Sequence, residues 1–219
     1  MSLYSPSEEL VDDVSDIYAL GPPTVVPALV EMARGRSVRF VPHRRPDRTP
    51  LYHLLKFDRH YNTRNTIGDY GCIPGTVSGD GGPLDIFVVV KEPTFEHCLI
   101  EARVIGYFEL YEDRSPDHKV IAVPVNDHRY DRYEDLKQDI LHDFKEAALS
   151  CLRNFKLEKP SWSEIDGDRW RGCDEAVRLV WQGRMAYWQK RKSPPGKSNF
   201  EAMMGAIERE LRSLTRAGS

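Results

Sequence analysis

The sequence predicts an α+β fold: a small antiparallel β-barrel of the OB kind, over about residues 37–125, flanked by N- and C-terminal helices. Two observations support this prediction. Short apolar or alternating runs, separated by turn residues, fill the middle of the chain, as they do in small closed barrels. Apolar residues at helical spacing mark the segments on both sides of that region.

Residues 1–36 are predicted to form an N-terminal helical extension. Leu10 and Val14 belong to an apolar stripe at helical spacing, and a second short helix is predicted over residues 25–34. Pro27 falls in the first turn of that second helix, where a missing N–H does little harm.

A barrel domain is predicted over residues 37–170. Its strands are predicted from four runs, which are residues 38–41, 84–90, 98–111 and 120–125. After Tyr133 an amphipathic helix is expected, because Leu136, Phe144 and Leu152 lie on one apolar stripe.

The last region, residues 171–219, is predicted to be a C-terminal helical extension. Its final helix, over residues 198–214, opens with Ser198 and Glu201 at the spacing of a capping box and carries one apolar face. Such a face must be buried, either on the chain's own barrel or against a second copy or another protein.

Composition excludes several classes of function. The net charge of −3 argues against a general nucleic-acid binder, and no apolar run is long enough for a membrane span. The four cysteines form no C-x-x-C pair, which indicates free thiols in a reducing compartment. We therefore expect a cytoplasmic protein, with an organellar location left open. Serine-hydrolase, zinc-protease and P-loop motifs are absent from the sequence.

Carboxylates cluster at two turns of the predicted barrel. Asp80 and Asp85 flank a Gly-Gly-Pro turn, and Glu112, Asp113 and Asp117 follow some thirty residues later. Oxygen ligands of this kind suit magnesium, and a magnesium ion beside Lys or Arg suits phosphate. The alternative is structural, since Asp-Gly is a favoured hairpin turn.

Four motifs occur in a characteristic order between Arg59 and Trp170. They are Tyr70-Gly71-Cys72-Ile73-Pro74, Asp80-Gly81-Gly82-Pro83-Leu84-Asp85, Glu112 through Lys119 into Ala122-Val123-Pro124, and Phe155-Lys156. This segment resembles the central half of the soluble family I inorganic pyrophosphatases, which show Y-G-Y-I-P, D-x-D-P-x-D, D-x(4)-D-x-K before V-A-V-P, and Y-K.

The resemblance implies metal-assisted attack of water on diphosphate, giving two phosphates, with Mg²⁺ as the cofactor. The implied metal ligands are Asp80, Asp85 and Asp117, with Glu112, assisted by Asp113, as the weaker ligand of a further ion. The residues implied to hold phosphate oxygens are Arg59, Tyr70, Lys119 and Lys156.

The sequence also departs from the family pattern. The middle carboxylate of D-x-D-P-x-D, which in the family orients and deprotonates the attacking water, falls at Gly82. Phe155 stands at the tyrosine position, and Phe40 stands where an upstream carboxylate is expected, with no counterpart of the following K-x-E pair near Leu51. A carboxylate from elsewhere could replace the missing base, and the candidates are Asp58, Asp69 and Asp113.

Three hypotheses follow from these matches and departures. The chain is a Mg²⁺-dependent protein that binds diphosphate or phosphate, with weak or lost hydrolysis. Alternatively, it is a catalytically dead scaffold or complex subunit that uses its barrel and helical ends. In the third hypothesis, the site has been repurposed for another diphosphate or phosphate ester. Fold alone does not choose among them.

Overall fold

The computed structural model describes residues 21–43, 52–56, 67–138, 142–158, 162–190 and residue 205. The strands are β1 (Val25–Met32), β2 (Arg39–His43), β3 (Tyr52–Lys56), β4 (Asp69–Ile73), β5 (Leu84–Val88), β6 (Leu99–Phe108), β7 (Tyr111–Glu112), β8 (Ser115–Pro116), β9 (Lys119–Pro124) and β10 (Trp170–Arg171). The helices are α1 (His142–Glu158) and α2 (Cys173–Lys190), with short 3-10 turns at His128–Tyr130 and Gly167–Arg169.

Five of these strands close into a barrel. The main sheet runs in the order β1-β4-β5-β9-β6-β10, and β1 also pairs with β6, which joins the two sides. Helices follow the barrel strands in the chain, so the predicted fold class is confirmed. The barrel begins earlier than residue 37, because β1 is one of its strands. The division of the chain at residues 36 and 170 stays a prediction.

The helix predicted over residues 25–34 is wrong, because this segment contains strand β1. Val26, Ala28 and Val30 are buried, and the residues between them are half-exposed, which is the two-residue alternation of a strand. Pro27 is tolerated within the strand, in the stretch that pairs with β6. The β-branched valines and the tertiary pairing outweigh a weak helical pattern.

One strand pair is parallel, which the prediction of an antiparallel barrel did not anticipate. Strands β5 and β9 pair in parallel, with Asp85 opposite Lys119. On its other side β5 pairs antiparallel with β4, with Asp85 opposite Cys72. Asp85 therefore lies between the two neighbouring strands at the start of β5.

Two apolar clusters fill the space around the barrel sheet. One contains Leu149, Leu152 and Phe155 of α1 with side chains of the sheet such as Phe108. The other contains residues of α2 such as Val177 with the other set of sheet residues. The helix predicted after Tyr133 is confirmed from His142, but the buried Leu136 precedes it.

Helix α2 is fixed at its beginning by residues from outside the helix and from its own first turn. The Asp135 carboxylate accepts the N–H of Cys173 at 3.0 Å, and Glu175 accepts the N–H of Gly172 at 3.0 Å. Both bonds satisfy amides that have no partner inside the helix and place acidic groups at its positive end.

Two predictions remain, a final C-terminal helix and the lack of a membrane span. The final helix predicted over residues 198–214 lies outside the described residues except for the helical Gly205. None of the helices in the described part of the chain is long and apolar enough to cross a membrane.

Candidate active site

The Lys119 ammonium is the centre of the site. It is the first residue of β9, is 3% exposed, and donates to Asp117 Oδ1 at 2.5 Å and to Asp85 Oδ2. The ring of Trp162 covers it, with its centroid 5.6 Å from Nζ. Burial alone would lower the pKa of Lys119, but the two carboxylates raise it well above its usual range. Lys119 therefore keeps its positive charge at neutral pH.

Asp85 reaches the same place from β5 and is surrounded by donors. Besides Lys119, the Tyr70 hydroxyl is hydrogen-bonded to it. Burial opposes its charge, but Lys119 and then Arg39 lower the pKa of Asp85 below its ordinary value. The Arg39 guanidinium lies over the ring of Tyr70, 5.0 Å from the centroid. Asp85 therefore stays ionised next to a buried cation.

Glu31 is a carboxylate near the site that the sequence analysis missed. It lies in β1, is 2% exposed, and accepts a hydrogen bond from Arg39 Nε at 2.6 Å. It is also hydrogen-bonded to Cys72 and interacts electrostatically with Asp85. Burial raises the pKa of Glu31 despite the adjacent Arg39. The signal in the sequence was an acidic residue alone inside an apolar run, which is costly unless it is paired.

Asp80 and Gly82 form the turn before β5. The Asp80 carboxylate accepts the N–H of Gly82 at 3.0 Å, and the turn is exposed on this side. A Cβ added at Gly82 would lie 3.5 and 3.7 Å from the two carboxylate oxygens of Asp80, which is ordinary contact. Of the two glycines, Gly81 has a positive φ, 89°, whereas Gly82 does not. A Cβ therefore fits at residue 82 beside Asp80.

The remaining predicted residues lie around the centre. Glu112 is in β7 and forms an isolated bridge with Trp162. Lys156, in the last turn of α1, is paired with Glu164. Phe155 is buried and lines a small cavity together with Lys119, Tyr70 and Trp162.

Asp69 has a structural environment and is a poor candidate for the replacement base. It is 1% exposed, and its two oxygens accept the N–H of Arg34 at 2.7 Å and the N–H and hydroxyl of Thr94 at 3.1 and 2.6 Å. Its carboxylate therefore holds two loops together, since these donors would otherwise lack a partner.

Five other positions complete the comparison with the sequence analysis. Asp113 lies in the turn between β7 and β8. Phe40 lies in β2, with its ring edge-on to His97 at 5.9 Å between centroids. Leu51, Asp58 and Arg59 lie outside the described residues.

The structure brings Asp85 and Asp117 together on one ammonium. Asp80 lies in the turn five residues before Asp85. Within residues 21–43, 52–56, 67–138, 142–158 and 162–190, no group of three or more His, Cys, Asp or Glu side chains could hold a metal ion. The predicted ligand set therefore stays a prediction, with Lys119 occupying the space between two of its members.

Comparisons with known proteins place this geometry in a family. The sequence profile described as "Inorganic pyrophosphatase" matches residues 28–188, which include Glu31 as well as the four motifs. The chain is 33% identical over 175 residues to the inorganic pyrophosphatase of a Nostoc species, covering 80% of this chain and 99% of the relative. It is 37% identical over 139 residues to the inorganic pyrophosphatase of Halobacterium salinarum, covering 63% and 76%.

A solved structure supports the same assignment. The crystal structure of the inorganic pyrophosphatase from Thermus thermophilus superposes with a TM-score of 0.61 and 27% identity, covering 75% of this chain and 92% of the other. The matching profile covers more than half of the chain. The chain therefore belongs to the inorganic pyrophosphatase family.

Proposed function

We propose that this protein binds Mg²⁺ and diphosphate or phosphate, and that it hydrolyses diphosphate to two phosphates slowly or not at all. The observation that carries this proposal is the contrast between two parts of the site. The buried group of Asp85, Asp117 and Lys119 is intact, whereas Gly82 presents no side chain in an open turn beside Asp80.

The charges of the site suit a divalent ion. Asp80, Asp85 and Asp117 contribute three negative charges and Lys119 one positive charge, so this group carries a net charge of −2. Their oxygens are the hard ligands that Mg²⁺ prefers. These residues would hold the ion after Lys119 gives up at least one carboxylate, and Glu112 is the candidate ligand of a further ion. The bound ion would neutralise phosphate charge and make water more acidic.

The protein's own side chains have separate tasks in this proposal. Lys119, released from a carboxylate, would donate to a phosphate oxygen, as would Tyr70, Lys156 and Arg59. Asp80 and Asp85 would be engaged as ligands and so would not accept the proton of the attacking water. With no carboxylate at Gly82, the proton-accepting step lacks its expected residue, a loss of about 10²- to 10⁴-fold in rate.

The direct test is Mg²⁺-dependent phosphate release from diphosphate by the unmodified chain, Gly82→Asp and Gly82→Asn. Because a Cβ fits at residue 82, we expect all three proteins to fold. We expect Gly82→Asp to raise the turnover rate by about 10²-fold or more, and the isosteric Gly82→Asn to leave it near the original rate.

Two outcomes would contradict the proposal. One is an unmodified chain that turns over diphosphate at about 10 s⁻¹ or faster, a typical enzyme rate. The other is an equal rise in the turnover rate for Gly82→Asn and Gly82→Asp, which would show that the slow rate does not come from a missing carboxylate at residue 82. Binding of neither Mg²⁺ nor diphosphate would favour the scaffold hypothesis instead.

A further inference from the structure

A second cleft, lined by polar and charged residues, lies beside the candidate active site. It has a volume of about 870 Å³, is open to solvent, and is lined by Tyr111, Asp113, Arg114, Ser163 and Arg169. Asp85, Asp117 and Lys119 do not line it. The cleft therefore does not include the group of Asp85, Asp117 and Lys119. Asp113 places it next to Glu112, the candidate ligand of a further ion.

The backbone around the cleft is tied at two places. The N–H of Ser163 donates to the carbonyl of Tyr111 at 2.7 Å, and the N–H of Tyr111 donates to Ser163 Oγ at 3.2 Å. The N–H of Glu109 donates to the carbonyl of Arg169 at 2.9 Å. These bonds hold segment 163–169 against the start of the β7–β8 hairpin, so its lining residues are presented by a bonded framework.

Two arginines give the cleft an excess of hydrogen-bond donors. Arg114 makes no hydrogen bond or ion pair with the part of the chain that the structure describes. Arg169 uses Nε on Asp166, at 3.1 Å, which leaves its two terminal NH₂ groups for a ligand. Asp113 is the single carboxylate among the lining residues. The two guanidinium groups together carry enough N–H donors to hydrogen-bond several oxygens of one phosphate group.

The turn that carries Arg114 has an unusual backbone. Asp113 and Arg114 have φ angles of 48° and 70°, in the left-handed region that favours glycine. A two-residue hairpin turn with both central residues in this region usually contains Asn-Gly or Asp-Gly. Here the second position holds a long cationic side chain at a conformational cost. A ligand bound by the Arg114 side chain would explain why arginine, and not glycine, occupies this position.

We propose that this cleft binds an organic phosphate, of the class and size of a nucleoside monophosphate. Its phosphate lies between the guanidinium groups of Arg114 and Arg169, and its ring lies against Tyr111. The volume is in the range of about 300–1,000 Å³ found for small-molecule sites, whereas inorganic phosphate fills only a small part of it.

The test measures binding of adenosine 5′-monophosphate by titration calorimetry, with adenosine, inorganic phosphate and ribose 5-phosphate as the other probes. We expect the monophosphate to bind most tightly and adenosine to bind at least tenfold more weakly. Equal binding of adenosine and its monophosphate would overturn the proposal, and so would no detectable binding of the monophosphate at millimolar concentration.

Two substitutions in the same turn give a matched comparison. Arg114→Gly and Asp113→Gly each place glycine at a positive φ, so neither strains the hairpin. We expect Arg114→Gly to weaken binding of the monophosphate at least tenfold, and Asp113→Gly to leave it unchanged or tighter, because the latter removes a like charge. Equal effects of the two changes would overturn the proposal.

A second pair separates the cleft from general surface charge. Arg169→Gln keeps a polar side chain near Asp166 but removes the guanidinium, and Arg178→Gln makes the same change at an exposed position of α2. We expect at least tenfold weaker binding for Arg169→Gln and unchanged binding for Arg178→Gln. Binding that is insensitive to both Arg114→Gly and Arg169→Gln would place the monophosphate elsewhere and refute the proposal.

Discussion

Replacing Lys119 by Met should strengthen Mg²⁺ binding. The Lys119 ammonium contacts both Asp85 and Asp117, so a divalent ion on these carboxylates competes with it. A +2 ion about 4 Å from a unit positive charge is repelled by about 8 kcal/mol at an effective dielectric constant of about 20. The flexible lysine escapes most of this repulsion by moving away. What remains is the cost of breaking its charged hydrogen bonds.

Breaking charge-assisted hydrogen bonds costs about 1.5–3 kcal/mol, and a methionine side chain at this position would have none to break. We therefore expect the dissociation constant for Mg²⁺ to fall about 10- to 100-fold in Lys119→Met. Titration calorimetry at neutral pH gives this value directly. The variant without metal should unfold at a lower temperature than the unmodified chain, because Asp85 and Asp117 lose their counter-ion, and Mg²⁺ should raise its unfolding temperature by a larger amount.

Lys137→Met is the control for this experiment. Lys137 is also paired with a carboxylate, that of Glu175, but at the surface and on the α2 side of the structure. We expect no change in its Mg²⁺ affinity and at most about 1 kcal/mol in the free energy of unfolding. A folded Lys119→Met that binds Mg²⁺ as weakly as the unmodified chain, or more weakly, would refute the competition between ammonium and metal.

Three further predictions concern stability. Asp69→Ala should lower the free energy of unfolding by about 3 kcal/mol in denaturant titration, because it leaves the donors of Arg34 and Thr94 without an acceptor. It should leave the Mg²⁺ affinity unchanged, and a loss of metal affinity would contradict a structural role for Asp69. Gly71→Ala should prevent stable folding, as measured by circular dichroism, because its Cβ would lie 1.8 Å from the carbonyl oxygen of Leu29. Gly82→Ala should change the free energy of unfolding by no more than about 0.5 kcal/mol. Similar effects of the two substitutions would be inconsistent with the close packing of β1 on β4. Asp85 has a lowered pKa in the fold, so its contribution to stability is present above the unfolded-state pKa near 4 and is lost as the pH falls through the folded-state pKa. We therefore expect the free energy of unfolding to fall with decreasing pH below about 4, and to fall less steeply in Asp85→Asn. Equal slopes in the two proteins would contradict this contribution of Asp85.

The strands of the barrel were predictable where the sequence pattern was local. The apolar run before residue 90 and the alternating run after residue 98 match β5 and β6 within a few residues. Strand β1 was not predictable in this way. Its helix-like spacing is resolved by pairing with β4 and β6, and these partners are distant in sequence.

The candidate site shows the same limit. The motifs indicated Asp85, Asp117 and Lys119, which the structure brings together. They do not indicate Glu31, because the motifs lie between Arg59 and Trp170 and the spacing of residues 25–34 predicts a helix. The contact of Trp162 with Lys119 depends on how a loop after α1 packs, and no periodicity in the sequence encodes that packing.

The parallel pairing of β5 with β9 also affects how the protein folds. Asp85 and Lys119 are 34 residues apart, and β9 lies between β5 and β6 in the sheet. Contacts over such separations form slowly, because the intervening chain must be ordered before they are made. Pairing of β9 with β5 brings Lys119 next to Asp85. During refolding, therefore, competence to bind a divalent ion should appear only once β5 and β9 have paired, and a chain in which they are unpaired should lack it.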